Sequence, residues 1–102
     1  MTLQELRYAV AVARERHFGR AAAACFVSQP SLSTAIRHLE DELGVLLFER
    51  TRGDVVPTDI GRQVIAQAER VLEEATRVKH VAASGKDQLR GALKLGVIHT
   101  IA

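Results

Sequence analysis

Leu3, Leu6, Val10 and Ala13 recur at steps of three and four, the spacing that lines one face of an α-helix. Thr2, with Glu5 three residues on, reads as a capping box, in which hydroxyl and carboxylate each accept a backbone N–H near the helix start. A first helix is predicted over Leu3–Glu15, and Arg16 and His17 then break the apolar pattern. Phe18 to Cys25 reads as a short second helix whose run of alanines lets another helix approach closely. Phe26 and Val27 make a turn. Ser28 is a natural N-cap, and Pro30 falls in the first turn of the next helix, where a missing N–H costs nothing. Leu32, Ile36, Leu39 and Leu43 carry that third helix at steps of four, three and four, and Gly44 supplies the stop.

On a helical wheel the four apolar residues of the third helix fall within about 60° of one another. Pro30, Thr34, Arg37 and Asp41 point the opposite way, with Ser33 and His38 on the flanks. After Gly44 the pattern shortens. Val45-Leu46-Leu47-Phe48 and Asp54-Val55-Val56 read as two strands, joined by the polar turn Glu49-Arg50-Thr51-Arg52-Gly53. Pro57 and Thr58 close this wing, and Thr58 can cap a fourth helix.

From Thr58 to Ser84 there is no proline, and Val64, Ala68, Val71, Ala75, Val78 and Ala82 alternate steps of four and three. Ile65 and Leu72 widen the seam. At ~1.5 Å per residue the segment is roughly 40 Å long. A helix of that length, leaving a small domain, has little of its own chain to cover it, so a second copy is the expected cover. Ser84-Gly85-Lys86-Asp87 reads as a hinge, and Leu89 to Ile98 as the start of a strand that makes the chain a piece of a longer protein. The expected fold is mainly α: a winged helix-turn-helix of three helices plus a two-stranded wing, followed by a long dimerisation helix. The expected divisions are 1–57, 58–84 and 85–102.

Composition removes several classes. Hydrophobic residues are 47% and charged residues 25% of the 102, the balance of a folding chain. One cysteine excludes an internal disulfide framework and any multi-cysteine zinc site. No apolar stretch is long enough to cross a bilayer, and Glu5, Arg7 and Arg14 interrupt the opening segment, so neither a membrane span nor a secretory signal is read. The expected compartment is the cytoplasm. Net charge is +2, but the first 57 residues hold seven arginines against seven acids. Bulk charge does not announce nucleic acid; placement of charge must.

That placement is informative. An α-helix fits the DNA major groove, its N-terminal residues reaching base edges while the preceding helix braces it on the backbone. Gln29 can pair with adenine N6 and N7, Pro30 can meet a thymine methyl, and Ser33 and Thr34 are short enough to bring the helix close to the groove floor. Arg37 on the same face can reach guanine or phosphate, and Arg50 and Arg52 on the wing suit phosphates or a narrow minor groove. Arg20, Ser28 and Ser31 complete the candidate contact set. The competing reading is a helical protein-interaction module whose polar face meets protein.

Catalysis finds little footing. His17, His38, His80 and His99 show no zinc spacing, and Glu40-Asp41-Glu42 reads as a solvated helix end rather than an acid–base pair. Cys25 falls on the alanine-rich face, where a core thiol is the expectation and a nucleophile the alternative. No glycine-rich phosphate loop is present. The chain is read as a non-enzyme with no cofactor or metal.

The stretch from Leu3 to Gly61 resembles the winged helix-turn-helix of LysR-type transcriptional regulators. The matching residues include His17-Phe18-Gly19-Arg20-Ala21-Ala22, Val27-Ser28-Gln29-Pro30-Ser31-Leu32-Ser33, Leu43-Gly44-Val45, Leu47-Phe48-Glu49-Arg50 and Pro57-Thr58 through Gly61. Leu93-Lys94-Leu95-Gly96-Val97 is similar to the opening strand of the family's effector-binding domain. Arg16-His17-Phe18, Cys25, Leu39 to Val45 and Gly96 to Ile101 resemble the family's peroxide-sensing OxyR group. In that group the sensing cysteine pair sits in the effector domain, past residue 102, and Cys25 matches a cysteine of the DNA-binding part. The resemblance implies that Gln29, Pro30 and Ser33 read bases and that Arg37 and Arg50 hold the backbone. It also implies double-stranded DNA and a homodimer as partners, a tetramer in longer members, and no membrane. Two departures stand out: Thr34 takes a position where many relatives carry arginine, and Gly53 holds the place of a wing arginine, with Arg52 one residue earlier.

Overall fold

The computed structural model describes residues 1–94, with side chains to residue 88. Its elements are α1 (Leu3–Glu15), α2 (Phe18–Ala24), α3 (Gln29–Leu43), β1 (Phe48–Thr51), β2 (Asp54–Pro57) and α4 (Asp59–Lys94). Contacts group the chain into two units, Met1–Leu72 and the residues from Glu73 on.

Each boundary in the first unit has a local cause. The Thr2 hydroxyl accepts the Glu5 N–H at 3.1 Å and the Glu5 carboxylate accepts the Thr2 N–H at 2.9 Å, which completes the capping box of α1. α1 ends at Arg16, in the left-handed region at φ 55, with its N–H returned to Val12 O. His17 then caps α2, its Nδ1 accepting the Arg20 N–H at 3.0 Å. Ser28 caps α3 through the Ser31 N–H, Pro30 occupies the first turn, and Gly44 at φ 72 terminates it. α2 stops at Ala24, one residue before the expected end, and Cys25 serves as its C-cap.

Three helices and the wing enclose one core. Leu6, Ala9 and Val12 of α1, Ala21 and Ala22 of α2, and Leu32, Ile36 and Leu39 of α3 are all under 5% exposed. Leu47, Val55 and, from the start of α4, Ile65 and Ala68 close its remaining sides. Among the described residues no buried side-chain polar atom lacks a partner.

The wing differs from its expected outline. The strands pair antiparallel from Phe48↔Pro57 to Thr51↔Asp54, so Glu49, Arg50 and Thr51 lie in β1, and only Arg52 and Gly53 form the turn. Both turn residues have positive φ, 45 and 81, the sense that matches the twist of a two-residue hairpin. Val45, Leu46 and Leu47 are not strand, because neighbouring elements take their backbone groups. The Leu47 N–H donates to Glu40 Oε2 at 2.7 Å, its carbonyl accepts the Thr58 N–H at 2.9 Å, and the Leu46 carbonyl accepts the Thr58 hydroxyl.

The hinge expected at Ser84-Gly85-Lys86-Asp87 is helix, and α4 continues through Leu89 to Lys94, where a strand was expected. A lone glycine costs a helix only about 1 kcal/mol relative to alanine, and no proline follows to enforce a stop. The rest of the expected strand, from Leu95, lies outside the described residues. Among the described residues no helix is long and apolar enough to cross a membrane.

Candidate nucleic-acid interface

α3 is held by its buried stripe and presents its other side outward. With Leu32, Ile36 and Leu39 locked in the core, Gln29, Pro30, Ser31, Thr34 and Arg37 are exposed, and Ser33 is half-buried. The first turn of α3 therefore offers one amide, one apolar ring and short hydroxyls, with a guanidinium two turns further on. That combination has the small size and polarity that a major groove admits. Gly19 keeps the approach to Gln29 open. A Cβ there would stand 2.8 Å from the His17 ring that caps α2 and 3.5 Å from Gln29 Oε1.

Other expected contact residues have structural work as well. Ser28 Oγ caps α3 and also donates to Ser31 Oγ at 2.8 Å, so the Ser31 hydroxyl keeps its own hydrogen for a ligand while Ser28 does not. Arg20 Nη2 donates to the Glu15 carbonyl at 3.0 Å, tying the guanidinium to the end of α1.

On the wing, the Arg50 guanidinium stacks 4.2 Å from the centroid of the Phe18 ring. Cation–π stacking leaves the in-plane N–H groups free, so Arg50 is oriented and still able to donate to phosphate. Arg52 is exposed at the hairpin tip. The wing is fastened to the α1–α2 corner by Arg16, which bonds Asp54 Oδ2 at 2.6 Å and accepts the Val55 N–H at its carbonyl. Arg50 and the α3 face thus belong to one packed unit.

Three further polar contacts also escaped the sequence reading. His38 Nδ1 lies 2.7 Å from Glu5 Oε2, joining α3 to α1 across 33 positions. Glu40, taken for a solvated helix end, accepts the Leu47 N–H and fixes the exit from α3. The Met1 amino group pairs with Glu42 at 2.7 Å. Only the Thr2–Glu5 capping pair hinted that Glu5 would be placed with care. Burial pushes the Glu5 carboxyl up, but hydrogen bonds from His38 and Thr2 outweigh it and hold the group below its ordinary value.

Cys25 is half-buried rather than deep in the core, and burial pushes its thiol up, away from the reactive thiolate. Among the described residues no three His, Cys, Asp or Glu side chains gather closely enough to hold a metal.

The seam residues divide. Ile65 and Ala68 are buried in the core of their own domain, and Val64 and Leu72 pack half-buried against it. A heptad pattern records that a stripe is covered, not what covers it: Ile65 and Ala68 are covered by their own domain, while Val64 and Leu72 keep part of their surface open. Val71 is 37% exposed in the first unit. In the second unit Ala75 is half-buried, Ala82 is exposed, and Val78 and Val81 are both more than 65% exposed.

The comparisons agree with this geometry. Residues 3–62 match the family described as bacterial regulatory helix-turn-helix protein, lysR family. The DNA-binding transcriptional dual regulator OxyR of Escherichia coli K12 is 46% identical over 101 residues, 99% of this chain and 33% of its own. A full-length OxyR variant from Pseudomonas aeruginosa superposes with a TM-score of 0.82 at 55% identity, over 87% of this chain and 30% of that one. The DNA-binding domain of CbnR, solved in complex with DNA, gives 0.80 at 32% identity, over 84% of this chain and 99% of that one. The chain spans about a third of the length of the OxyR relatives it matches. It belongs to the lysR family of bacterial regulatory helix-turn-helix proteins.

Proposed function

We propose that this chain is the DNA-reading and self-associating part of a transcription regulator. One observation carries the reading: the outward face of α3, built from Gln29, Pro30, Thr34 and Arg37 on a locked apolar stripe, has the size and polarity of a major-groove probe. The DNA complex of the similar CbnR domain supports it. Gln29, Pro30, Ser33 and Thr34 read base edges, Arg37 reaches guanine or phosphate, and Arg50, Arg52 and Arg20 hold the backbone, with Ser28 and Ser31 ordering the helix start.

Residues 1–57, closed by the start of α4, make the reader and residues up to 84 the linker, and the likeness to longer OxyR proteins supports 85–102 as the approach to an effector domain. Two copies associate through apolar residues of α4 that the reader's core leaves uncovered, exposed Val71, Val78 and Ala82 and half-buried Ala75. Dimerisation gives two probes and an interrupted two-fold site, with half-sites about one helical turn (~34 Å) or a multiple apart. The likeness to OxyR supports a peroxide-responsive role in a longer protein, working beside the chromosome in the bacterial cytoplasm.

Selection of bound duplexes from a random library tests the reading. It should return a two-fold symmetric sequence, and Gln29→Ala should then lose roughly 1–3 kcal/mol of preference for it over random DNA. Equal losses on selected and random duplexes would remove Gln29 as a base reader. No duplex retained at low salt would overturn the DNA assignment.

A further inference from the structure

Beside the α3 probe lies a hollow of about 540 Å³ lined by Glu5, Pro30, Ser31, Thr34, Ala35 and His38. It shares Pro30 and Thr34 with the DNA-reading face, so a duplex seated on α3 would also border the hollow. Glu5 is the buried charged side chain among the described residues, 9% exposed. Both of its oxygens are engaged, Oε1 by the Thr2 N–H and Oε2 by His38 Nδ1. The His38 side chain is 67% exposed, and among the described residues its Nε2 has no hydrogen-bond partner.

Resting on the DNA reading above, we propose that His38 binds one DNA phosphate as an imidazolium, oriented by Glu5, and takes up a proton as the duplex docks. The ring chemistry sets the linkage. With Nδ1–H donating to Glu5, Nε2 carries a lone pair in the neutral ring and an N–H in the cation. Only the cation can donate to a phosphate oxygen. Docking therefore selects the protonated ring, the proton comes from solvent, and no other bond is made or broken.

The surrounding charges suit this role. From the α1 side the ring faces Glu5, with the Met1 amino group 3.7 Å from that carboxylate. On α3 the charged residues nearest it are Arg37 and, one turn on, Asp41 and Glu42, the last of which the same amino group already pairs. An uncovered Glu5 carboxylate would repel a phosphate; a protonated His38 cancels that charge and replaces it with a donor.

Anisotropy titrations with a pooled random-sequence duplex test the proposal, because a phosphate contact is independent of sequence. They should span about pH 5.5 to 8, where imidazole changes charge. The unaltered chain should tighten as pH falls. His38→Gln should lose part of that gain, weaken binding about two- to fivefold at the acid end and show a salt slope smaller by about 0.9 there. His38→Lys should keep the tighter binding at the alkaline end. The difference between chains is the readout. Calorimetry in two buffers of unlike ionisation enthalpy should show proton uptake by the unaltered chain that falls in His38→Gln. Circular dichroism matches the variants for folding, and the proton-uptake measurement on the unaltered chain needs no variant at all. Identical pH dependence and salt slope in His38→Gln, or no proton uptake, would overturn the phosphate role while leaving DNA binding standing. Absence of binding by every chain at low salt would overturn the DNA reading, and this proposal with it.

Discussion

Substituting alanine at two glycines of the same helix should give opposite results. A Cβ on Gly61 would overlap the carbonyl oxygen of Leu47 and stand 2.9 Å from its carbonyl carbon and from Thr58 Oγ1. Little there can yield, because the Leu47 carbonyl accepts the Thr58 N–H at 2.9 Å and the Thr58 hydroxyl accepts the Gly61 N–H at 2.9 Å. Relief requires moving the start of α4 off the segment that leads into the wing. Overpacking of this kind costs about 1–3 kcal/mol. A disrupted hydrogen bond adds roughly 0.5–1.5 kcal/mol. Against that, alanine gains about 0.5–1 kcal/mol over glycine in a helix. The net loss is about 1–3 kcal/mol, and at roughly 4–8 °C per kcal/mol for a domain of this size it should be plain in Tm. Gly85 has nothing within 4 Å of its Cβ position, so Gly85→Ala should only gain the helix term and raise ellipticity at 222 nm. Thermal unfolding of both variants, followed by circular dichroism, decides the matter. A Gly61→Ala chain as stable as the unaltered one would refute the close-approach argument, and a drop in ellipticity for Gly85→Ala would refute a continuous α4.

Arg50→Ala should weaken binding to selected and random duplexes alike, reduce the salt slope by about 0.9, and cost about 0.5–1 kcal/mol of stability through the lost stacking on Phe18. An unchanged slope would remove its phosphate role. Val78→Glu places a charge on an exposed apolar position of α4 and should shift sedimentation from dimer towards monomer; an unaltered dimer would count against that surface. Glu5 has its carboxyl held low, so its contribution to stability is present above the ordinary carboxylate range and is lost as pH falls through the lowered value. Glu5→Gln should therefore lower Tm near neutrality and converge with the unaltered chain in acid; a constant gap across the titration would rule out the stabilised Glu5 carboxylate.

Much of the first 58 residues was legible because the rules at work there are local. Thr2 with Glu5, Ser28 with Pro30, and Gly44 announce helix ends through contacts that span only a few residues, and the three-and-four spacing of Leu32, Ile36 and Leu39 fixes which side of α3 faces out. The outward face followed from the same periodicity, which is why the residues it exposes could be named without coordinates. The wing was placed only roughly. Apolar Val45-Leu46-Leu47 looks like strand, and nothing nearby in sequence shows that Glu40 and Thr58 take its backbone groups.

Sequence alone determined the helix order, the start of α1, both ends of α3 and the exposed polar side of α3, since each depends on residues within one or two turns. Tertiary structure decided everything that needs two distant segments to meet. It set Glu5 against His38, laid Arg50 on Phe18, and pressed Gly61 onto the Leu47 carbonyl. It also divided the α4 stripe between the domain's own core and the surface left open. Periodicity fixes the direction in which a side chain points, but what it meets depends on where the rest of the chain returns.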